Sequence, residues 1–278
     1  MLIDTERLSL HLHEPDWIVF DCRHDLMDTA RGERVYREGH IPGAFFAPVD
    51  TALSGVKNGV NGRHPLPTPE AWAAFLVAHG VTADTRIVAY DDVGGQYAAR
   101  LWWLAGWIGL AHAMVLDGGW PKWLAEGRRV ATDVPAPRGG GDVKPRADAT
   151  RVRTTAEVLA GLGGADTMVL DARAPERFRG EVEPLDPVAG HIPRARNRFF
   201  KANLNPDSTM RPAAELRGEF AALLGGVRPE QVTHQCGSGI TACANLLAME
   251  HAGLRGSRLY AGSWSEWVAD PSRPVERG

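Results

Sequence analysis

A cysteine in a short, glycine-containing loop carries the strongest chemical signal in the chain. Residues 236–242 read Cys-Gly-Ser-Gly-Ile-Thr-Ala, after an apolar-to-polar run at 232–235 and before a segment rich in Ala, Leu and Met at 243–251. The run predicts a strand and the later segment a helix, so Cys236 would lie on a tight loop at the positive end of a helix. Such a place lowers the pKa of a thiol and gathers backbone N–H groups around an anion. The pattern predicts thiolate chemistry at Cys236.

Composition limits the partners and the compartment. The chain has 278 residues, of which 44% are hydrophobic and 23% charged, which suits one or two globular domains with an ample core. A formal net charge of -3 gives no broad basic field, so nucleic acid is not an expected partner. Three cysteines in so long a chain do not make a disulfide framework and indicate a reducing compartment. We therefore predict a cytoplasmic location.

The hydropathy pattern predicts no membrane segment. Residues 1–13 mix charges with Leu and His and lack a signal-peptide pattern. The most hydrophobic run, 101–116, is short for a bilayer and contains Gly106, Gly109 and His112. It is typical of a buried helix that runs toward a strand.

The chain repeats itself once. Three pairs of segments match in the same order, at shifts of 150, 151 and 144 residues: 18–23 with 168–173, 39–42 with 190–193, and 118–123 with 262–267. The second pair reads Gly-His-Ile-Pro in both copies, and the third reads Gly-x-Trp-x-x-Trp. The nearly constant shift indicates a duplicated domain, and it is too long for a solenoid repeat.

Each half alternates β-rich runs with helical patterns, which predicts an α/β fold with a parallel sheet flanked by helices. The predicted strands cover 17–21, 86–90 and 113–116, then 167–171, 231–235 and 258–260. The predicted helices include 69–79, 96–107, 213–224 and 241–252. We predict a first domain over 1–131, a linker rich in proline and glycine over 132–149, and a second domain over 150–278.

The two halves differ at the position of the nucleophile. Aligning 86–91 with 231–236 places Asp91 where Cys236 stands. A carboxylate cannot accept sulfur, so we expect the first half to lack the reactive group.

Together, the paired Gly-His-Ile-Pro motifs, the paired Gly-x-Trp-x-x-Trp motifs and the cysteine loop resemble the tandem-domain rhodanese (sulfurtransferase) family over nearly the whole chain. The loop is similar to that of 3-mercaptopyruvate sulfurtransferases. Thiosulfate-preferring rhodaneses usually carry basic residues inside this loop, whereas Gly237, Ser238 and Gly239 carry none. The resemblance implies two tandem rhodanese-like domains, each a parallel sheet flanked by helices. It also implies transfer of sulfane sulfur from 3-mercaptopyruvate to a thiol or cyanide acceptor; thiosulfate is the alternative donor.

The resemblance implies that Cys236 holds sulfur as a persulfide, whose outer sulfur is anionic. Backbone N–H groups of the loop would surround this anion, each charge-assisted hydrogen bond contributing roughly 1.5–3 kcal/mol. The glycines allow the loop backbone to curl, including at positive φ. The expected substrate-binding residues of the loop are Gly237, Gly239, Ile240 and Thr241.

A serine–histidine–aspartate relay is also implied by the resemblance. Ser238 lies in the loop, the stretch 62–67 matches the one that carries the histidine, and 45–50 the one that carries the aspartate. These matches assign His64 and Asp50. His64 would accept a proton through Ser238 while Asp50 orients the imidazole and balances its charge. Both partners precede the linker, so the relay would place the site between the two domains.

The donor carboxylate needs a cation, and arginine binds a carboxylate bidentately. By alignment with the family, Arg177 is the first candidate and Arg179 the second. A second arginine of the family pattern is missing, because Leu185 or Asp186 stands at its position. Two nearby arginines are candidates to replace it: Arg194 and Arg196.

Other motif residues are predicted to be structural. We expect the Gly-His-Ile-Pro histidines, His40 and His191, to satisfy backbone groups at a turn. The Gly-x-Trp-x-x-Trp tryptophans, three residues apart, fit one helix face in the core. Asp21 and Asp171 are expected to hold loops at strand ends.

Three rival functions follow from the same residues. A cysteine phosphatase uses a similar loop, but it needs an arginine at its end, where this chain has Ala242. A thiol redox protein would use Cys236 and Cys243, although their spacing is not Cys-x-x-Cys. A binding-only rhodanese module typically lacks the cysteine, as the first half does.

The resemblance implies no cofactor and no metal, and the sequence has no His/Cys cluster at ligand spacing. The expected partners are a small-molecule sulfur donor and an acceptor such as thioredoxin, a small thiol or cyanide.

Overall fold

The computed structural model describes residues 1–164 and 167–278. The chain divides into two compact units. The first unit comprises 1–55, 66–148 and 206–210, and the second comprises 56–65, 149–205 and 211–278. Each is an α/β unit with a parallel sheet flanked by helices, as the sequence predicts. The domain boundaries proposed from the sequence stay a prediction.

The first unit is built on a five-stranded sheet. Its strands are β1 (Leu2–Ile3), β2 (Trp17–Asp21), β3 (Phe45–Phe46), β4 (Arg86–Tyr90) and β5 (Ala113–Leu116). They lie in the order β1-β5-β4-β2-β3, and each neighbouring pair is parallel. All residues of β2 are buried, as expected for the interior of a parallel sheet that helices cover.

Five helices belong to the first unit: α1 (Thr5–His11), α2 (Arg31–Glu38), α3 (Pro69–Ala78), α4 (Gln96–Trp107) and α5 (Gly119–Ala125). Helix α3 begins where the Thr68 side chain accepts from the Ala71 N–H, with proline in the first turn. Helix α4 is buried over most of its length, which explains the hydrophobic run in the sequence. Among the described residues, no helix is long and apolar enough to cross a membrane.

The second unit has a four-stranded sheet. Its strands are β6 (Met168–Asp171), β7 (Arg196–Asn197), β8 (Val232–Gln235) and β9 (Arg258–Leu259), in the parallel order β7-β6-β8-β9. Its helices are α6 (Thr155–Ala160), α7 (Pro175–Phe178), α8 (Ala213–Leu224), α9 (Thr241–His251) and α10 (Ser263–Trp267). Three short 3-10 turns cover Ala149–Arg151, Phe200–Asn203 and Pro229–Gln231.

The motif residues repeat the same contacts in both units. Arg23 donates to Asp21 and to the Gly39 carbonyl, and Arg173 does the same to Asp171 and the Gly190 carbonyl. The guanidinium carbons lie 4.6 Å from the Trp120 ring and 4.8 Å from the Trp264 ring, respectively. The aspartates therefore hold the strand ends, as predicted.

Both Gly-His-Ile-Pro histidines bond to backbone groups. Nδ1 of His40 lies 2.8 Å from the Tyr36 carbonyl oxygen, and Nδ1 of His191 lies 2.7 Å from that of Phe178. Each ring also stacks on the aromatic ring of that same residue. The second tryptophan of each Gly-x-Trp-x-x-Trp motif is fully buried and donates to a backbone carbonyl (Trp123 to Arg129, Trp267 to Pro274). These motifs are structural.

Two features depart from the sequence analysis. The segment 132–149 has no helix or strand before its 3-10 turn, yet it bonds to the first unit, where Gly139 donates to Ala78 and Asp142 to Val81. The stretch 56–65, which precedes most of the first unit's residues in sequence, belongs to the second unit. Its attachment includes a 3.0 Å hydrogen bond from the Arg63 N–H to Ser265 Oγ.

Candidate active site

Cys236 follows β8 directly and lies just before the first turn of α9. It is 2% exposed. The Gly239 N–H donates to its sulfur at 3.1 Å, and its own N–H donates to Ser263 Oγ at 3.1 Å. The sulfur therefore has a backbone amide donor, in a loop that leads into the N-terminus of an eleven-residue helix.

The loop conformation depends on one glycine. Gly239 has φ of +79°, and a Cβ there would collide with the carbonyl oxygen of Ala261. Ile240 is buried and Thr241 is the first residue of α9, so both place their backbone at the helix start. Gly237 has no such backbone requirement, and the nearest atoms to a Cβ built on it belong to arginine side chains.

Ser238 and His64 lie in hydrogen-bond contact. His64 Nδ1 is 2.7 Å from Ser238 Oγ, and the two residues are 2% and 5% exposed, respectively. Both residues lie in the second unit, which includes 56–65. With Nδ1 unprotonated, the imidazole accepts the hydroxyl proton, so the pair is suited to proton transfer.

Two arginines face Gly237. Nη2 of Arg63 lies 3.0 Å from the position of a Cβ on Gly237, and Nη1 and Nη2 of Arg177 lie 3.5 and 3.6 Å from it. Arg177 was predicted from the sequence, whereas Arg63 was missed. The only available signal was its place next to His64.

The two arginines are partly exposed and belong to a chain of alternating charges whose carboxylates are buried. Arg63 pairs with Asp186, and Arg177 pairs with Asp186 at 3.4 Å and with Glu183 at 2.6 Å. Arg173 continues the chain from Glu183, at 3.4 Å, to Asp171, at 2.7 Å. Glu183 and Asp186 are each 3% exposed, so these pairs are shielded from solvent.

Arg173 keeps its charge within this chain. Burial lowers the pKa of Arg173, but Asp171, Glu183 and Cys236 outweigh it and raise the pKa above its usual value. A permanent positive charge near Cys236 therefore accompanies the amide donors.

The other predicted site residues lie in different surroundings. Asp50 belongs to the first unit, where its Oδ2 is 3.9 Å from Nε2 of His24. Its role toward His64 stays a prediction. Arg179 is 44% exposed, and its side chain pairs with Glu181. We therefore leave Arg179 out of the proposed site.

Arg194 and Arg196 line a cavity beside the amino-terminal ends of β6 and β8, with Met168 and Thr233. Cys236 follows the carboxyl-terminal end of β8. These arginines are therefore poor substitutes for the missing second arginine.

All three cysteines are buried and free of disulfides. Cys243 lies within α9, and its thiol donates to the Gly239 carbonyl at 3.3 Å. Burial, with Asp21 and Asp91 nearby, raises the pKa of Cys22 well above its usual value, so Cys22 is an unreactive thiol.

The corresponding loop of the first unit holds a carboxylate. Asp91 follows β4, is fully buried and accepts four backbone N–H bonds, from Val93 at 2.9 Å, Gly95 at 2.8 Å, Tyr97 at 2.8 Å and Ala98 at 3.0 Å. Burial raises the pKa of Asp91, and the four donors offset part of that effect. The loop is an anion cradle already filled by its own side chain.

Comparison with known proteins gives a consistent result. Residues 4–126 and 154–270 each match the family described as Rhodanese-like domain. The chain is 47% identical over 279 residues to a probable 3-mercaptopyruvate sulfurtransferase of Pseudomonas aeruginosa, covering 100% of this chain and 98% of that protein. It is 39% identical over 266 residues to a putative thiosulfate sulfurtransferase of Mycobacterium tuberculosis, covering 94% of this chain and 90% of that protein.

A solved structure has a similar fold over nearly the same length. The 3-mercaptopyruvate sulfurtransferase from Leishmania major matches with a TM-score of 0.85 at 29% identity, covering 96% of this chain and 74% of that one.

Proposed function

The chain belongs to the rhodanese family, and we propose that it is a sulfurtransferase that takes sulfane sulfur from 3-mercaptopyruvate and passes it on through a persulfide on Cys236. The observation that carries this proposal is the buried Cys236 sulfur, which accepts the Gly239 N–H at the start of α9. A thiolate held by amides is a nucleophile, and its persulfide is an anion that the same amides stabilise.

The first half-reaction moves one sulfur atom. The Cys236 thiolate attacks the thiol sulfur of 3-mercaptopyruvate, the new S–S bond forms, and the bond between sulfur and C3 breaks. The electron pair of that bond goes to the enolate of pyruvate. The thiol proton leaves the sulfur and, in balance, a proton reaches C3, so that the products are the Cys236 persulfide anion and pyruvate.

We propose that Ser238 and His64 carry that proton. The 2.7 Å contact between Ser238 Oγ and His64 Nδ1 supports a relay from the donor thiol through the hydroxyl to the imidazole. We propose that Asp50 orients His64 and balances the charge of its imidazolium.

The second half-reaction restores the enzyme. A thiolate or cyanide attacks the outer sulfur, and the electron pair of the S–S bond returns to Cys236 as thiolate. Thioredoxin, a small thiol and cyanide are the acceptors that we propose. Three free cysteines fit a reducing compartment, and we propose the cytoplasm.

The charge of the loop favours 3-mercaptopyruvate over thiosulfate. Residues 237–241 contain no charged side chain, and the arginines beside Gly237 are already paired with Asp186 and Glu183. The two negative charges of thiosulfate would be only partly balanced by these arginines, whereas 3-mercaptopyruvate, with one carboxylate and a neutral thiol, brings less charge into the site. Thiosulfate remains the second candidate donor, since one of the similar proteins is a putative thiosulfate sulfurtransferase.

Donor comparison and mass analysis test the proposal together. We expect kcat/KM to be much higher for 3-mercaptopyruvate than for thiosulfate, and incubation with the donor to add one sulfur atom to the peptide that contains Cys236. Cys236→Ser should abolish both, because a hydroxyl neither ionises nor carries sulfur at neutral pH. Cys243→Ala is the matched control and should keep both. If neither 3-mercaptopyruvate nor thiosulfate added sulfur to this peptide, the result would contradict a persulfide mechanism.

A further inference from the structure

Arg63 lies beside the cysteine loop, and some of its guanidinium N–H donors have no acceptor among the described residues. Its Nη1 pairs with Asp186, and its backbone N–H bonds to Ser265. Nε is buried without a hydrogen-bond partner among the described residues. Nη2 lies 3.0 Å from the position of a Cβ on Gly237. Although Arg63 is paired with Asp186, its Nε–Nη2 edge can still donate to a ligand.

The unused edge is the one that binds carboxylates elsewhere in this chain. Arg23 and Arg173 hold Asp21 and Asp171 through Nε and Nη2, and Arg177 holds Glu183 in the same way. In Arg63 the Nε–Nη2 edge has no acceptor within the described ranges.

The first unit offers an internal precedent. Asp92 aligns with Gly237, and its Oδ2 accepts from Arg31 Nη2 at 2.7 Å. The first loop thus carries a carboxylate, bound to an arginine, at the residue after Asp91. The second loop has no side chain at Gly237, and two guanidinium groups face that place.

We propose that Arg63 binds the carboxylate of the sulfur donor together with Arg177, and that it supplies the second cation missing at Leu185 and Asp186. This inference rests on the proposed function for the identity of the donor, a 2-oxo acid with a thiol. Asp186, shared by Arg63 and Arg177, fixes the spacing of the two guanidinium groups. The site therefore selects a monocarboxylate and orients its thiol toward Cys236.

Alkylation of Cys236 tests carboxylate recognition without sulfur transfer. Iodoacetate and iodoacetamide have nearly the same shape, and only iodoacetate carries a carboxylate. We expect Arg63→Gln to lower the iodoacetate rate about 10-fold while leaving the iodoacetamide rate within about 2-fold, since one charge-assisted contact is lost. Mass analysis of the Cys236 peptide gives both rates in the intact chain. Arg211→Gln, which removes an arginine paired with Glu215 and Glu219, is the matched control and should leave the ratio of the two rates unchanged.

Steady-state kinetics give the second readout. Arg63→Gln should raise KM for 3-mercaptopyruvate about 10-fold with a smaller change in kcat, and Arg63→Lys should recover part of that loss because it keeps the charge without the fork. Arg177→Ala should likewise act chiefly on KM.

A variant at Gly237 tests the same site without removing Arg63. Gly237→Asp places a carboxylate where the first loop has Asp92, and it should block 3-mercaptopyruvate binding far more than Gly237→Asn, which has the same shape without the charge. A similar loss in both variants would mean that the guanidinium pair does not select a carboxylate.

The outcomes separate this inference from the proposed function. If the wild type turns over 3-mercaptopyruvate and Arg63→Gln changes neither KM nor the alkylation ratio, the role of Arg63 is overturned while sulfur transfer stands. If the wild type transfers no sulfur but the alkylation ratio falls in Arg63→Gln, the carboxylate site stands and the proposed donor is wrong. Equal slowing of both alkylating agents would assign Arg63 a structural role and overturn the inference.

Discussion

In the first unit, the loop after β4 fills its own anion cradle: the Asp91 carboxylate accepts four backbone N–H groups, and Asp92 pairs with Arg31. In the second unit, the loop after β8 has Cys236 and Gly237 at those positions. The Cys236 sulfur accepts from Gly239, and the guanidinium groups of Arg63 and Arg177 face Gly237. In the first loop these two positions carry carboxylates that belong to the protein itself; in the second loop we propose that a sulfur anion on Cys236 and the carboxylate of the donor occupy the corresponding places.

The surrounding frame is shared. In both units the backbone N–H of the first tryptophan of the Gly-x-Trp-x-x-Trp motif donates to the backbone carbonyl of the residue that follows the strand. Trp120 donates to Asp91 at 2.9 Å, and Trp264 donates to Cys236 at 3.0 Å. Gly94 and Gly239 occupy the same position in the two loops, and both have positive φ. The comparison shows that the two loops share these backbone contacts and differ in the side chains at three aligned positions, Asp91/Cys236, Asp92/Gly237 and Val93/Ser238, which we propose determine whether the loop binds a substrate.

Apart from loss of the nucleophile itself, the largest effect is expected at Ser238, where the first loop has Val93. Ser238→Ala and His64→Ala should each lower kcat/KM for 3-mercaptopyruvate about 100-fold or more, because the thiol proton loses its route. Thiosulfate has no thiol proton, so any activity with it should fall much less. Steady-state assays with both donors measure the difference, and Ser238→Val, which copies the first loop, should behave like Ser238→Ala. Equal losses with the two donors would rule out the relay.

Removing the carboxylate of the first loop should affect stability rather than sulfur transfer chemistry. Asp91→Ala leaves four N–H groups without their acceptor, and we expect the free energy of unfolding to fall by about 2–4 kcal/mol. Chemical denaturation measures this change. Cys236→Ala removes an acceptor of one N–H group and should cost less, and Asp92→Ala, which breaks a partly exposed ion pair, about 1 kcal/mol or less. A smaller cost for Asp91→Ala than for Asp92→Ala would contradict the view that Asp91 fills a cradle.

A pH-dependent effect on stability is expected at His234, which aligns with Ala89 of the first unit. Burial lowers the pKa of His234 to about 3, and neither ring nitrogen has a partner in the part of the chain that the structure describes. The unfolded chain takes up this proton near pH 6.5. The stability is therefore complete above that pH and falls by about 1.4 kcal/mol per pH unit as the pH drops toward 3.

His234→Ala, which restores the residue of the first unit, should remove that slope. The difference in unfolding free energy between the wild type and His234→Ala is measured from pH 7 down to about pH 4. We expect the unfolding free energy of the wild type to fall steadily relative to that of His234→Ala as the pH drops over this range. Parallel pH profiles for the two proteins would show that His234 is not the buried neutral group described above.

The long, strongly patterned elements could be predicted from the sequence. The predicted runs 17–21, 86–90 and 113–116 coincide with β2, β4 and β5, and the predicted helices 96–107 and 213–224 with α4 and α8. Strands β1, β3 and β7 were missed because two residues show no alternation of their own; their pairing with β5, β2 and β6, respectively, defines them.

From the residue pattern alone, the site was predictable only where its residues are close in sequence, whereas His64 and Arg177 were assigned through the family resemblance. Cys236, Ser238 and Gly239 share one loop, so strand, turn and helix patterns place them together. Arg63 and Asp186 are brought together by tertiary contacts between distant segments, and neither has a periodic signal. Charge-pairing of this kind depends on three-dimensional packing that no short pattern encodes.

The membership of residues 56–65 in the second unit has a consequence for the history of the chain. The sequence repeat indicates a duplicated domain, yet Arg63 and His64, which contact residues of the second half, lie in a stretch that is translated with the first half. Cutting the polypeptide within 132–149 would leave Ser238 on one fragment and its imidazole partner on the other. Neither half of the sequence, produced alone, would therefore contain the complete set of groups around the Cys236 sulfur.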